Sequence, residues 1–498
     1  MMKRVLWSVL LIVAILVAMV PMAVAAPARQ GGGGFDYVVV KDDWLSKLAL
    51  KYLGDVFAYP AIAYYTNQKA AEDPSYAKIT DYDLIEIGWK IYIPSPEEAQ
   101  AYFATRAQTL GVTEGETIKI GALAPLSAPG SVTGGQAMKA AFEIALEEIN
   151  EAGGVLGKPV ELILVDTEGL PERGTAAMER LITQEKVVGV VGEYHSAVGL
   201  TAKEVAHKYG IPVIFAETWN DNITASLYPE VFRIAPLSSE VANLDANFIQ
   251  WLGAKKVVIM TENTGYGIPA AEQTTQKLAE RGIEAVTFSA DIGTQDFSGI
   301  IERIKAENPD LILVLLTGET SYNFQQQAAE AGIGPQDVMM ICNQVADDSE
   351  SYWKNVPDGN LCFYRKVGLP PVLWNEKTKA FAEKYMERTG KTGVESYAME
   401  AYDSLWLMAT AINNAGSTDP QAIIEALENI TYEGVLGTIT FPYNSKNPPS
   451  AAGVEDKWWH QFPDFAAVFI QYQEPGQPSS EAPVVYPEKF QTAPPIIP

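Results

Sequence analysis

Along most of the chain, short apolar runs alternate with longer stretches whose apolar residues recur every three or four positions. The runs are Ile118-Lys119-Ile120-Gly121-Ala122-Leu123, Val160 to Val165, Val187 to Val191, Pro212 to Ala216, Lys256 to Met260, Asp310 to Leu316 and Val338 to Cys342. Each is short and nearly continuously apolar, as a strand buried on both faces requires. Between the first two, Met138, Ala141, Phe142, Ala145 and Ile149 form a helical stripe. Gly153-Gly154 follow it, residues that accept the left-handed dihedrals of a helix end. Strands alternating with amphipathic helices predict parallel sheets covered on both faces. The series is too long for one sheet, so it predicts two doubly wound α/β lobes. Val231-Phe232-Arg233-Ile234-Ala235-Pro236 reads as a strand crossing between them.

The grammar differs at both ends. Lys3 and Arg4 precede an apolar run from Val5 to Val20, and Ala23-Val24-Ala25 has the small-x-small cleavage pattern. Residues 1–26 therefore read as a secretory signal peptide, with an uncleaved anchor as the alternative, because the run nearly reaches bilayer-spanning length. No cysteine lies near the cleavage site, which argues against a lipid anchor. Residues 27–34 form a glycine-rich linker, 97–116 a polar helical connector, and 473–498 a proline-rich tail expected to be an extended or disordered strap.

Residues 35–96 read as strand, helix, helix and strand. They resemble a LysM domain, the small module that grips N-acetylglucosamine polymers, at Tyr37, Val39, Asp43, Leu45, Ala49, Tyr52, Asn67, Gly88 and Ile93-Pro94. They depart from that family at Asp42, where glycine is usual, at Trp44, where threonine is usual, and in the insert from Gln68 to Ile79. The resemblance implies peptidoglycan as a partner; a structural spacer is the other reading.

Charge narrows the function. With 36 basic and 62 acidic residues the net charge is −26, a surface that repels phosphate backbones and argues against nucleic acid as a partner. Only His195, His207 and His460 are present, without metal-ligand spacing, and no cofactor motif occurs. Cys342 and Cys362 are either one disulfide or two buried thiols. No nucleophile elbow surrounds Ser196, and Gly157-Lys158-Pro159 lacks the other residues of a phosphate loop, so an enzyme is not expected.

In parallel sheets, ligands sit beyond the C-terminal strand ends, where helix N-termini offer unpaired N–H groups. Four loops there carry polar and aromatic residues: Pro125 to Gly135, Gly192 to Ala197, Glu217 to Asn220 and Glu262 to Gly267. Ser127, Thr133, Tyr194, Ser196, Glu217, Thr218, Trp219 and Tyr266 are their candidate ligand-binding residues, with Glu319 and Asn343 from later loops.

Here the chain resembles the type I periplasmic binding proteins of the branched-chain amino acid (leucine/isoleucine/valine) family. The segments that carry this are Ala124 to Gly130, Ala145-Leu146-Glu147-Glu148-Ile149-Asn150, Gly153-Gly154-Val155-Leu156-Gly157, Val191-Gly192, Tyr266-Gly267, Asp296-Phe297-Ser298 and the region around His460. The resemblance implies two lobes, 117–236 with 367–436 and 237–366 with 437–472, joined by three hinge strands near Ala235, Lys366 and Gly437. It implies that Ser196 holds a ligand carboxylate, that Glu217-Thr218-Trp219 adds contacts, and that Tyr266 covers the ligand. Asn343 stands where amino-acid binders carry an acid, and Thr133 where many relatives carry an aromatic residue. The function expected is an extracytoplasmic, secreted or envelope-associated binding protein. It would deliver a small polar solute (amino acid, amide or small carboxylate) to an ABC permease. A wall-attached sensor or chemosensory adaptor is the alternative on the same fold.

Overall fold

The computed structural model describes residues 33–41, 43, 45–53, 58–79, 85–99, 101–102, 117–368 and 373–498. The signal segment, Asp42 and Trp44 of the first loop, and most of the connector lie outside them.

The N-terminal unit pairs β1 (Phe35–Val38) with β2 (Lys90–Ile93) antiparallel, with helices Leu45–Leu53 and Tyr59–Glu72 between. Leu48, Ala49, Ile62, Ile91 and Ile93 form its core. The Gln68–Ile79 insert is held by Asn67, which donates to the Ile79 carbonyl at 2.6 Å and accepts from its N–H at 2.7 Å. The unit docks on the first lobe through Tyr59, whose hydroxyl lies 2.5 Å from His207 Nδ1 and 2.9 Å from Glu230 Oε1.

The first lobe is built on five parallel strands: β3 (Ile118–Ala124), β4 (Val160–Asp166), β5 (Val190–Gly192), β6 (Val213–Phe215) and β7 (Val231–Arg233), in the spatial order β4-β3-β5-β6-β7. The strands bury both faces because helices cover both. Phe142, Tyr397 and Leu405 pack with Ile120 and Ala122 on one side, and Met178, Ala202 and Val205 with Leu123, Val190 and Phe215 on the other. A fully buried phenylalanine such as Phe142 contributes roughly 2–3 kcal/mol of apolar transfer.

The second lobe holds β8 (Lys256–Glu262), β9 (Glu284–Ala290), β10 (Leu311–Leu315), β11 (Met339–Ile341) and β12 (Phe363–Val367). The chain then re-enters the first lobe through helices Glu376–Thr389, Ser396–Ala415 and Pro420–Glu428 and the hairpin β13 (Tyr432–Gly434) with β14 (Gly437–Ile439). It returns as β15 (Ala467–Gln471) and β16 (Val484–Tyr486), both antiparallel to their neighbours, giving the order β16-β15-β12-β11-β10-β8-β9.

Three crossings join the lobes, and the third differs from expectation. Residues 437–462 stay with the first lobe, because Ile439, Phe441, Trp459 and Phe462 belong to its core. The crossing therefore falls at residues 463–466 rather than near Gly437, and Phe465 packs against both cores. The crossings are laced together: Gln461 bridges Arg233 in parallel, and Gly368 donates to the Ala466 carbonyl at 2.8 Å. The tail is ordered where it could have been loose. It adds β16 to the sheet, and the Gln471 side chain bonds both the N–H and the carbonyl of Ile496, at 2.8 and 2.7 Å. Cys342 and Cys362 form a disulfide, their Cα atoms 6.0 Å apart and both side chains buried between β11 and β12. Among the described residues no helix is long and apolar enough to cross a membrane, and no cluster of potential metal ligands occurs.

Candidate functional site

The C-terminal ends of both parallel sheets meet at one cleft. Its small cavity is lined by Tyr194, His195, Ser196, Glu217 and Trp219 from the first lobe and Tyr266, Thr317, Asn343 and Gln344 from the second. The lobes touch around it. Gln344 donates to Glu217, Asn220 donates to the Gly265 carbonyl at 2.5 Å, and Glu319 accepts from the Val132 and Thr133 N–H groups at 3.2 Å.

The sequence places the first-lobe wall by a short chain of constraints. Strand β5 ends at Gly192, whose φ of 100° turns the loop toward the cleft. Helix Ser196–Tyr209 then begins at the cavity, with His195 rather than Ser196 in the N-cap position. Ser196 Oγ accepts from the Trp219 and Asn220 N–H groups at 2.9 and 3.1 Å, which ties the second loop to the first. Arg233, fully buried, holds the same loop from behind: Nη1 donates to the Thr218 and Asn220 carbonyls at 3.1 and 2.6 Å. On the other side, the Thr317 hydroxyl and N–H both donate to the fully buried Glu262, fixing the ends of β8 and β10.

Trp219 and Tyr266 meet edge to face across the cleft, ring centres 6.0 Å apart, and Tyr194 packs on Tyr397 behind. Asn343 is held at both ends of its amide: it donates to the Leu316 carbonyl at 3.1 Å and accepts from Arg365 at 2.8 Å. Several buried polar atoms lack a hydrogen-bond partner among the described residues, including Glu217 Oε2, Trp219 Nε1 and Gln344 Oε1 on the cavity wall. Buried polar groups are normally paired, so these mark where a ligand's polar atoms would sit.

Six candidates line the cavity: Tyr194, Ser196, Glu217, Trp219, Tyr266 and Asn343. Four do not. Ser127 is exposed and bonds Asp166, because its loop folds back over β4. Thr133 lies on the first turn of its helix, against Glu319 and Tyr322. Thr218 points the opposite way from its neighbours along the extended chain, toward Gly199, where a Cβ would sit 2.7 Å from its methyl. Glu319 caps the facing helix instead of entering the cavity. Sequence reasoning gave His195 no ligand role and missed Thr317 and Gln344 on the cavity wall, and Arg365 and Glu400 beside it, which act on Glu217.

His195 lines the cavity as a neutral ring. Burial lowers its pKa to about 4, and Nε2 accepts from the Ser131 N–H at 2.9 Å, which leaves the proton on Nδ1. Burial raises Glu217 to about 7, although hydrogen bonds from its neighbours and the Arg365 charge act the other way.

A sequence profile of the family described as periplasmic binding protein matches residues 117–452. The amino acid binding protein of Pseudomonas aeruginosa is 26% identical over 322 residues, 64% of this chain and 84% of that one. A Leu/Ile/Val-binding protein homologue of Brucella abortus is 24% identical over 371 residues, 70% of this chain and 92% of that one. The crystal structure of a leucine-binding protein from Thermotoga maritima superposes with a TM-score of 0.63 at 22% identity, covering 74% of this chain and 97% of that one. A solute-binding protein of R. palustris in complex with benzoate gives 0.62 at 19%, covering 77% and 98%. The fold is thus that of the type I periplasmic binding proteins, and the chain belongs to the periplasmic binding protein family.

Proposed function

We propose that this protein is the extracytoplasmic substrate-binding component of an ABC importer, which captures a small polar solute between its lobes and hands it to a membrane permease. The observation that carries this reading is the cleft cavity lined by both lobes, with unmet polar atoms on each wall: Trp219 Nε1 and Glu217 Oε2 on one, Gln344 Oε1 on the other. Relatives on this fold include proteins solved with isoleucine and with benzoate, which supports an amino acid, amide or small carboxylate as the solute class. Tyr194, Ser196, Glu217, Trp219, Tyr266 and Asn343 are the proposed contacts. Ligand touching both walls favours the closed arrangement over an open one.

Native mass spectrometry of the purified chain, before and after mild unfolding, identifies any bound molecule. Small-angle scattering then follows that molecule's effect on shape. Compaction on ligand addition is expected; an unchanged radius of gyration at saturation refutes capture by closure.

The N-terminal unit is proposed to be a LysM-like tether to peptidoglycan, supported by its order of elements and the match at Tyr37, Asp43, Asn67 and Gly88. Pelleting with purified peptidoglycan should retain the mature chain and release a version starting at Thr117. Equal partitioning of both refutes the tether.

A further inference from the structure

A second pocket, of about 410 Å³, lies beside the hinge and shares no lining residue with the cleft cavity. Its walls come from three places. Trp374, Met386 and Val394 pack with the first-lobe core, Ile470 and Val484 belong to the second-lobe core, and Pro483 with its tail neighbours forms the roof. The size falls within the roughly 300–1,000 Å³ usual for small-molecule sites.

The roof is fixed in place. Trp353 Nε1 donates to the Gln477 carbonyl at 2.7 Å, Gln473 Nε2 to the Pro494 carbonyl at 2.8 Å, and the Thr492 N–H to the Val484 carbonyl at 2.8 Å. The tail also seats on Gly393, where a Cβ would stand 2.2 Å from Ser479 Oγ. A guest therefore finds the pocket already formed and need not order it.

The charge inside is spent. Lys366 Nζ donates to both Asp347 oxygens at 2.8 Å and to the Val394 carbonyl at 2.5 Å, which uses all three of its protons. Glu481, the other charged lining residue, is exposed. Two hydroxyls are engaged as well: Thr392 donates to Glu350 at 2.6 Å, and Thr492 accepts from the Val484 N–H at 3.0 Å. Ser479 differs, because its hydroxyl, on a residue 9% exposed, has no hydrogen-bond partner among the described residues. What remains is an apolar space with one unmet buried hydroxyl. A charged guest would meet no free counter-charge there, whereas an apolar one gains by displacing water from Trp374, Met386, Ile470 and Val484.

We propose that this pocket is a second ligand site, which takes an uncharged, largely apolar molecule whose single hydroxyl pairs with Ser479. It stands apart from the cleft, since a solute there and a guest here touch no common residue.

The test is photolabelling of the mature chain with a diazirine derivative of tryptophol, an uncharged aromatic alcohol, followed by peptide mapping. Label should fall within residues 374–394 or 479–492 and be displaced by tryptophol but not by its charged counterparts, tryptamine and indoleacetate. Ala482→Phe and Met386→Trp fill the pocket from opposite walls, and each should lower tryptophol affinity about tenfold or more in titration calorimetry, with folding checked by circular dichroism. Ser479→Ala should lower it about two- to tenfold, the loss of one neutral hydrogen bond. Label confined to cleft residues such as Trp219 and Tyr266, or displaced equally by all three competitors, overturns the second site and leaves the cleft reading intact. Unchanged tryptophol affinity in a folded filling variant overturns it too, as does the absence of both labelling and binding. Where one filling variant fails to fold the other decides, and the labelling map needs neither.

Discussion

Arg233 is the most exacting place to test how the cavity wall is held. Its side chain is fully buried at the end of β7, where the first crossing begins. Besides the two loop carbonyls, Nε donates to Gln461 Oε1 at 2.6 Å and Nη2 to Thr224 Oγ1 at 3.2 Å. Arg233→Met keeps the unbranched stem of the side chain and removes all four bonds. At the lower end of about 1.5 kcal/mol for each bond from a charged donor, that costs about 6 kcal/mol. Removing the buried charge returns part of this. Burial lowers the guanidinium from 12.5 to about 10, a penalty of roughly 3 kcal/mol that the variant no longer carries. The net expectation is a loss of about 3 kcal/mol, together with a looser 217–220 loop. Urea unfolding followed by tryptophan fluorescence measures it, and ligand titration should show weaker binding beyond the stability change. An unchanged midpoint, or a lower midpoint with unchanged ligand affinity, would refute the idea that Arg233 positions this wall.

Replacing Cys342 and Cys362 with alanine opens a loop of 20-residue separation and should cost about 3 kcal/mol in unfolding of the second lobe, read by denaturation with and without reductant. Glu319→Ala removes the carboxylate that caps the facing helix across the cleft; the apparent Kd of the co-purifying ligand should rise about tenfold, with unfolding of the ligand-free protein little changed. Burial raises Glu193 from 4.5 to about 7, so its folded form keeps a proton that the unfolded form releases. Its contribution is fully present below pH 4.5, is lost as pH rises to 7, and stays lost above, by roughly 3 kcal/mol. Glu193→Gln should therefore match wild type near pH 4 and exceed it at pH 8; equal differences at both values would contradict this. His195, lowered by burial, works in the opposite sense and loses its contribution as pH falls from 6.5 to about 4.

The parallel strands were legible because they are apolar on both faces, and their C-terminal ends located the cavity loops. Strand β9 was not. It is an edge strand, largely exposed from Glu284 to Thr287, and its residues give no continuous apolar run. The same limit applied within loops. Glu217 and Trp219 reach the cavity while Thr218 between them turns away, a phase set by the tertiary ladder that sequence fixes only to within a residue. Arg365 and Glu400 were invisible for another reason. Their partners Asp245 and Glu217 stand more than a hundred residues away, and nothing local in a hinge strand or a long helix marks a side chain as charged and buried.

The ordered tail has a consequence for how the protein survives in concentrated surroundings. A sheet whose last strand lies open offers a row of free N–H and carbonyl groups that can template another molecule. Here β16 takes up the outer edge of β15, and Gln471 reads the backbone of Ile496 much as a further strand would. Pro483 and Pro487 flank β16, and proline has no N–H to continue a ladder. The tail acts as a selvedge: it finishes the sheet so that it does not fray or knit to its neighbours. A chain trimmed at Gln473 would keep its cavity and lose this finish, becoming a protein that binds its solute and aggregates on storage.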